Sequence, residues 1–326
     1  MLGIYRQTIE GALVPYIDAP QSQRFALLGR LWQVKQLRGY HDRIPPVAIK
    51  LIAMDIDGTL LGSNGQVPEE NVRAVVEAAR RGIEIVLVTG RRFDFARPIA
   101  DALPCDLHLI VSNGALIKSK SGETHQQLLL PSGTARQVIE ATAEFRANAA
   151  VVFDRPLARQ IILEKVEWDD PFRGGYFRKN REYIAEVSPL ADCLNGEDPI
   201  QVLFTGACQP IRKAMRELAN LPIASDFTLA LTEYEARDFS ILDVLRPGVT
   251  KGVTLKEWAR RRGIAREEIM AIGDNWNDRE MLEFAGLPVV MANSVAELKS
   301  LGWAITLSND ECGVSAAINT YALKKI

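Results

Sequence analysis

The chain has 326 residues, 47% of them hydrophobic and 25% charged, with a formal net charge of −2. That length predicts about two domains, and the near-neutral charge gives no electrostatic basis for binding nucleic acid or an anionic membrane surface. The longest stretch without a charge, Pro199–Ile211, is 13 residues, short of the ~20 that span a bilayer.

Cys105, Cys193, Cys208 and Cys312 are scattered without a Cys-x-x-Cys pattern, which predicts buried free thiols in a reducing, cytoplasmic setting. His41, His108 and His125 have no ligand spacing, which argues against zinc. No apolar core of signal-peptide type is expected, because Gly11–Ile17 is short and broken by Pro15.

In chain order, residues 1–47 read as an N-terminal extension, helical in pattern over Phe25–Trp32, with six Lys/Arg against three Asp/Glu. Ile44-Pro45-Pro46 reads as its linker. Packing on the core, dimerisation, partner binding and contact with a membrane surface are all open to such a segment.

Leu51–Ile56 reads as a buried strand and runs into Asp55-Ile56-Asp57-Gly58-Thr59-Leu60. Carboxylates two residues apart on an extended backbone point the same way, and like charges raise each other's pKa unless something positive compensates. A hard divalent cation such as Mg2+ suits that need, since it prefers a few carboxylate oxygens, water and a substrate phosphate. An Asp-rich turn is the plainer alternative.

Pro68–Arg81 follows as a helix with Pro at its start. Glu84–Val88 is a strand that ends on Thr89-Gly90-Arg91, Phe93–Leu103 a helix, and Leu107–Val111 a strand that ends on Ser112-Asn113-Gly114-Ala115.

Between Pro131 and Arg237 an insert of its own α/β character is expected. Helices are predicted at Pro131–Ala147 and Pro210–Leu218, and strands at Ala150–Phe153, Ile161–Leu163 and Ile200–Phe204. Lys251 then opens a helix that runs from Gly252 to Arg262. The apolar run Ile269–Ile272 leads into Gly273-Asp274-Asn275-Trp276-Asn277-Asp278. A helix over Met281–Ala285, a strand over Pro288–Met291 and a helix over Ser315–Leu323 close the chain. Strands alternating with helices predict a parallel sheet covered on both faces. Ligands of such sheets sit beyond the carboxyl ends of the strands, where Asp55, Thr89 and Asp274 fall.

Asp55–Leu60, Thr89-Gly90-Arg91, Lys251 and Gly273–Asp278, in this order, resemble the haloacid dehalogenase superfamily of phosphatases, and specifically its Cof-type branch, over about residues 48–326. The resemblance implies an α/β fold: a Rossmann-like parallel-sheet core (48–130 and 238–326) carrying an inserted cap (131–237) that closes over a phosphate site. It implies a Mg2+-dependent phosphatase of a small phosphorylated metabolite, such as a sugar phosphate, a nucleotide or a phosphorylated cofactor.

Asp55 is then the nucleophile, forming an aspartyl-phosphate, and Asp57 the general acid and base. By motif position Asp57 also gives its backbone carbonyl to the metal, beside Asp55 and Asp274. Thr89, Gly90, Lys251 and Asn277 are candidates for phosphate binding, with Asp278 behind them. Asn113 and Gly114 are a simple turn or a substrate contact, and Arg91 a rim salt bridge or an anion ligand. In the cap, Arg155, Arg159, Trp168, Arg173, Tyr176 and Arg178 are candidates for substrate contact or plain surface residues.

A phosphomutase or phosphotransferase of the same superfamily is the alternative enzyme, and a non-catalytic ligand-binding module the alternative to an enzyme. The partner expected is the small phosphorylated substrate, with no nucleic acid and no membrane span. Oligomeric state is not legible.

Overall fold

A computed structural model describes residues 48–171 and 173–324. The N-terminal extension, with its expected helix, lies outside the described residues. In chain order the first strands are β1 (Leu51–Met54), β2 (Glu84–Val88), β3 (His108–Val111), β4 (Leu116–Ser119) and β5 (Thr124–Gln127). The next six are β6 (Ala149–Val152), β7 (Ile161–Leu163), β8 (Ile184–Glu186), β9 (Gln201–Gly206), β10 (Thr228–Tyr234) and β11 (Phe239–Leu245). The last three are β12 (Ile269–Gly273), β13 (Leu287–Val290) and β14 (Ala304–Ile305).

Eight strands form one sheet in the order β14-β13-β12-β1-β2-β3-β4-β5. The pairings from β14 to β3 are parallel, with Leu51 beside both Ile269 and Glu84. The pairings of β3 with β4 and of β4 with β5 are antiparallel. The parallel sheet expected from the alternation of elements forms the core, and an antiparallel hairpin extends it at one edge. The hairpin goes unsignalled because Thr124–Gln127 is polar and half-exposed.

All four residues of β1 are buried, as a central parallel strand requires. Its side chains alternate between the two faces. Ile52 and Met54 pack with Ala74, Val75 and Ala78 of the helix Glu69–Arg80. Leu51 and Ala53 pack with Leu255 and Trp258 of the helix Lys251–Arg262, and with Met281 and Leu282 of the helix Arg279–Phe284.

The other six strands form a second sheet in the order β10-β11-β9-β6-β7-β8, antiparallel apart from β7 and β8. One face is covered by the helices Ser132–Ala141 and Cys208–Ala219 through Val138, Ile139, Ile211 and Leu218. Part of the opposite face meets the first sheet's apolar cluster through Val152, Leu245 and Ala230. β11 belongs to this sheet and lies beyond Arg237, the end of the insert expected from sequence.

The helix expected over Pro131–Ala147 ends at Ala141, and a short tighter turn covers Ala143–Asn148. The closing helix starts at Gly313 and passes into a wider turn over Ile318–Ala322. The four cysteines carry no disulfide; Cys193 and Cys208 are buried, but Cys105 and Cys312 only partly so. Among the described residues no helix is long and apolar enough to cross a membrane.

Candidate active site

β1, β2 and β12 end side by side, and their terminal residues converge at one end of the first sheet. The backbone N–H of Asp55 donates to the carbonyl of Ile272 at 3.0 Å, tying β1 to β12 two residues before Asp274. The chain then turns back, and the Leu61 N–H closes the turn on the Ile56 carbonyl at 3.0 Å. Gly58 sits at φ 76° in this turn. That backbone region suits glycine, and a β-carbon there would collide with the Asp274 carboxylate. Asp-x-Asp-Gly-Thr thus brings Asp274 against the turn, where the Thr59 hydroxyl donates to Asp274 Oδ1 at 2.9 Å.

Lys251 reaches the same point from the first turn of its helix, whose N-cap is Thr250; the Thr250 hydroxyl oxygen accepts from the Val253 N–H. Its Nζ donates to Asp55 Oδ1 at 2.7 Å and to Asp278 Oδ1 at 2.6 Å, and all three side chains are almost fully buried. The other oxygen of Asp278 accepts from the backbone N–H groups of Asp274 (3.0 Å) and Asn275 (3.1 Å). Carboxylate oxygens of Asp55, Asp274 and Asp278 all lie within 4.8 Å of one another.

The electrostatics follow from this crowding. Burial raises the Asp55 pKa well above its ordinary value; Asp278, Asp274 and Asp57 push the same way and Lys251 pulls against them. Burial and the neighbouring Asp278 push Asp274 up to about 7. Burial alone would lower the Lys251 pKa, but Asp278 and Asp55 outweigh it and raise it. Three carboxylates thus face a single lysine, and their ionised forms are disfavoured unless a further positive charge joins them. The cluster's donors are hard oxygens, which fits a divalent cation of the Mg2+ kind.

The other residues singled out from the sequence lie around this cluster. The Asp57 side chain lies outside the three-carboxylate cluster and pairs with Arg91, Nε to Oδ2 at 2.7 Å and Nη2 to Oδ1 at 2.6 Å. Thr89 is buried at the end of β2, and its hydroxyl oxygen accepts from the Arg91 N–H at 3.1 Å. Gly90 lies against Asn113, so that a β-carbon there would come within 3.1 Å of Asn113 Oδ1.

Gly114 packs on the Thr250 carbonyl at φ 108°, and its own carbonyl accepts from the Thr254 hydroxyl at 2.9 Å. Asn113 crosses between the sheets, donating from Nδ2 to Asp243 Oδ2 at 2.7 Å. Asn277 also crosses, from Nδ2 to the Thr232 hydroxyl of β10 at 3.3 Å.

Of the six cap candidates, Arg155 pairs with Glu197. Arg173 is buried on Asp170 and on the Ala147 carbonyl. Arg178 bonds the Trp168 carbonyl, and the Trp168 ring lies under Arg181. Arg159, at φ 63°, gives its carbonyl to Arg155. Tyr176 alone of the six turns to the first sheet's side of the seam, stacking on Phe95 with ring centroids 6.0 Å apart.

Sequence reasoning passed over four residues beside the site. In β10, Ala230 packs on the core and Thr232 meets Asn277, so Tyr234 follows on the same face. Burial and the charges of Asp57 and Asp55 push the Tyr234 phenol up to about 12. Asp243 is buried and pushed up to about 7 by that burial, with the Asn113 bond opposing, and it also accepts from Gln201 Nε2 at 2.7 Å. Arg92 is buried directly after Arg91. The alternation in Thr228–Tyr234 was the available signal for Tyr234; nothing in the sequence distinguishes Asp243 or Gln201. A cavity of about 1030 Å3 opens between β10 and the turn after Asp274, lined among others by Asn113, Lys251, Trp276 and Asn277.

A family model described as haloacid dehalogenase-like hydrolase matches residues 52–318. Over 77% of its length the chain is 29% identical to the HMP-PP phosphatase of Serratia proteamaculans, covering 87% of that protein. It is 31% identical, over 83% of its length, to the chloroplastic endoribonuclease YBEY of Arabidopsis thaliana, but spans only 46% of that protein. Among solved structures, a haloacid dehalogenase-like hydrolase from B. subtilis superposes with a TM-score of 0.70 at 27% identity, covering 83% of this chain and 99% of that one.

Proposed function

Because the chain belongs to the haloacid dehalogenase-like hydrolases, we propose that it is a Mg2+-dependent phosphatase of a small phosphorylated metabolite, working through an aspartyl-phosphate on Asp55. The substrate classes that fit are sugar phosphates, nucleotides and phosphorylated cofactors. The observation that carries the reading is the meeting of Asp55, Asp274 and Asp278 within 4.8 Å, with Lys251 bonded to the first and last of them. A phosphate monoester is an anion, so cleaving it with a carboxylate is mainly a matter of positioning and charge neutralisation.

In this reading a carboxylate oxygen of Asp55 forms a bond to phosphorus as the ester oxygen leaves. Asp57 gives its proton to that oxygen, then takes one from the water that hydrolyses the acyl phosphate. Lys251 and the Thr89 hydroxyl hold phosphoryl oxygens, with the Gly90 backbone and Asn277 beside them. Asp55, the Asp57 carbonyl and Asp274 would hold the cation. Asp278 is already engaged by Lys251 and two backbone N–H groups, so its part is to orient Asp274 and Lys251. The bound cation would neutralise charge on the phosphoryl group.

The six-stranded unit, taken to run from Pro131 through β11, would act as the cap. It excludes water and reads the leaving group. The relative named an HMP-PP phosphatase is consistent with a small phosphorylated substrate.

The test is phosphate release from a panel of metabolite phosphates with Mg2+ present, each run with and without acceptor sugars. Release from at least one compound, independent of acceptor, is the expected outcome. No release from any of them, or transfer only to an acceptor, would sink the phosphatase reading.

A further inference from the structure

Arg92 follows the Thr89-Gly90-Arg91 segment and is 8% exposed, at the seam between the two sheets. Its guanidinium is fixed on three sides. One face lies over the Phe95 ring at 4.6 Å, another contact is to the Tyr183 ring at 5.1 Å, and Nη1 bonds the Gln160 side-chain carbonyl. The remaining edge, Nε and Nη2, is buried and has no hydrogen-bond partner among the described residues. That edge is the fork that takes both oxygens of a carboxylate or phosphate in parallel. Leaving it unpaired out of water is costly.

Three acceptors nearby are in the same condition. Asn113 Oδ1, Gln201 Oε1 and the Ser112 hydroxyl are buried without a partner. Asn113 and Gln201 share Asp243, and the Tyr176 hydroxyl is close enough to Arg92 for a side-chain hydrogen bond and lies in the field of Asp243. Asn113 also lies against Gly90. Arg92 is three positions beyond Thr89, so their α-carbons are at most about 11 Å apart, on the scale of a small phosphorylated sugar.

We propose that Arg92 binds a second oxyanion on the substrate's leaving group, while Asn113 and Gln201 accept hydrogen bonds from its hydroxyls. The substrate is then a hydroxylated phosphate monoester that carries a further carboxylate or phosphate, and the cap closes fully only around such a group. This inference rests on the phosphatase reading above.

The experiment compares matched substrates on the full chain: glucose 6-phosphate against 6-phosphogluconate, and fructose 6-phosphate against fructose 1,6-bisphosphate. p-Nitrophenyl phosphate reports the basal chemistry. A fork of charge-assisted bonds predicts that the member with the second anionic group has a kcat/KM higher by at least about tenfold. The first pair reports a carboxylate and the second a phosphate.

Arg92→Gln should bring the two members of the favoured pair to within about threefold. Arg92→Lys, which keeps charge but not the fork, should recover only part of the preference. Parents without the second anionic group cleaved as well as their partners by the wild type would overturn the proposal, whatever the variants do. So would an unchanged ratio in a folded Arg92→Gln protein, which would leave Arg92 a structural peg. No phosphate release by the wild type from p-nitrophenyl phosphate or from any of the four sugar phosphates would instead remove the phosphatase reading itself.

Discussion

Arg91 holds Asp57 by two parallel bonds, both under 2.8 Å, across 34 residues of sequence. The pair fixes the carboxyl proposed to move protons at the scissile oxygen, and the same hydrogen bonds raise the Arg91 pKa. A bidentate ion pair sets direction as well as distance. Both Asp57 oxygens are engaged in this arrangement, so in the proposed mechanism one of them leaves Arg91 to carry the proton while the other stays held.

Arg91→Ala should lower kcat for sugar phosphates by about tenfold to a hundredfold, the scale of a 1 Å misplacement of a reacting group. Aryl phosphates, whose leaving groups need little protonation, should suffer less. Equal losses on both, measured as kcat, would mean that Arg91 serves phosphate binding and not Asp57.

Asp55→Asn keeps the shape of the side chain and removes the attacking charge. Turnover should fall by at least about 10³-fold, with a thermal melt showing a folded protein. Acid-quenched single-turnover reactions should trap a phosphorylated wild-type chain and none in the variant. Turnover within tenfold of wild type would reject Asp55 as the nucleophile.

The three crowded carboxylates should be relieved by a cation. Chelation should abolish activity and Mg2+ restore it. Mg2+ should also raise the melting temperature of the chelated protein, because a ligand of the native state alone stabilises it. Asp274→Ala should demand more Mg2+ for half-maximal rate and lose most of the thermal shift. Full activity after exhaustive chelation would end the metal assignment.

Asp243 gives a pH dependence. Its folded-state pKa is pushed from the ordinary 3.8 to about 7, so between these values the folded chain holds a proton that the unfolded chain has lost. Stability should fall as pH rises through that window. The penalty is complete above about pH 7 and has an upper bound on the order of 4 kcal/mol. Asp243→Asn removes the proton, so its melting temperature should change less than wild type between about pH 4.5 and 7.5. Parallel profiles would show that the carboxyl does not titrate there.

The parts of the site that lie at strand ends were legible in sequence, because an apolar run followed by Asp or Thr marks both the strand and the residue it presents. Leu51–Met54 and Ile269–Gly273 are fully buried strands leading into Asp55 and Asp274. Side-chain direction was not legible. Nothing in Asp-x-Asp tells that Asp57 turns to Arg91 while Asp278 turns to Lys251. The strands of β10 and β11 were hidden for a different reason. Thr228–Tyr234 is half-buried along its whole length, and it carries polar residues on the face toward the first sheet, so no continuous apolar run announces it. The unpaired edge of Arg92 depends on where Phe95, Gln160 and Tyr183 meet, which no local pattern encodes.

The register of β1 has a consequence for how the molecule is made. Leu51 pairs with Glu84 soon after both have been synthesised, but its other neighbour is Ile269. A chain emerging from the ribosome therefore carries β1 with one edge unpaired while the whole six-stranded sheet is translated. That sheet uses only residues between Ala149 and Leu245, so its pairings are complete first. Synthesis is vectorial and contacts distant in sequence close late. The strand that bears Asp55 is thus among the first made, and it is sealed into its sheet only when Ile269–Gly273 arrives.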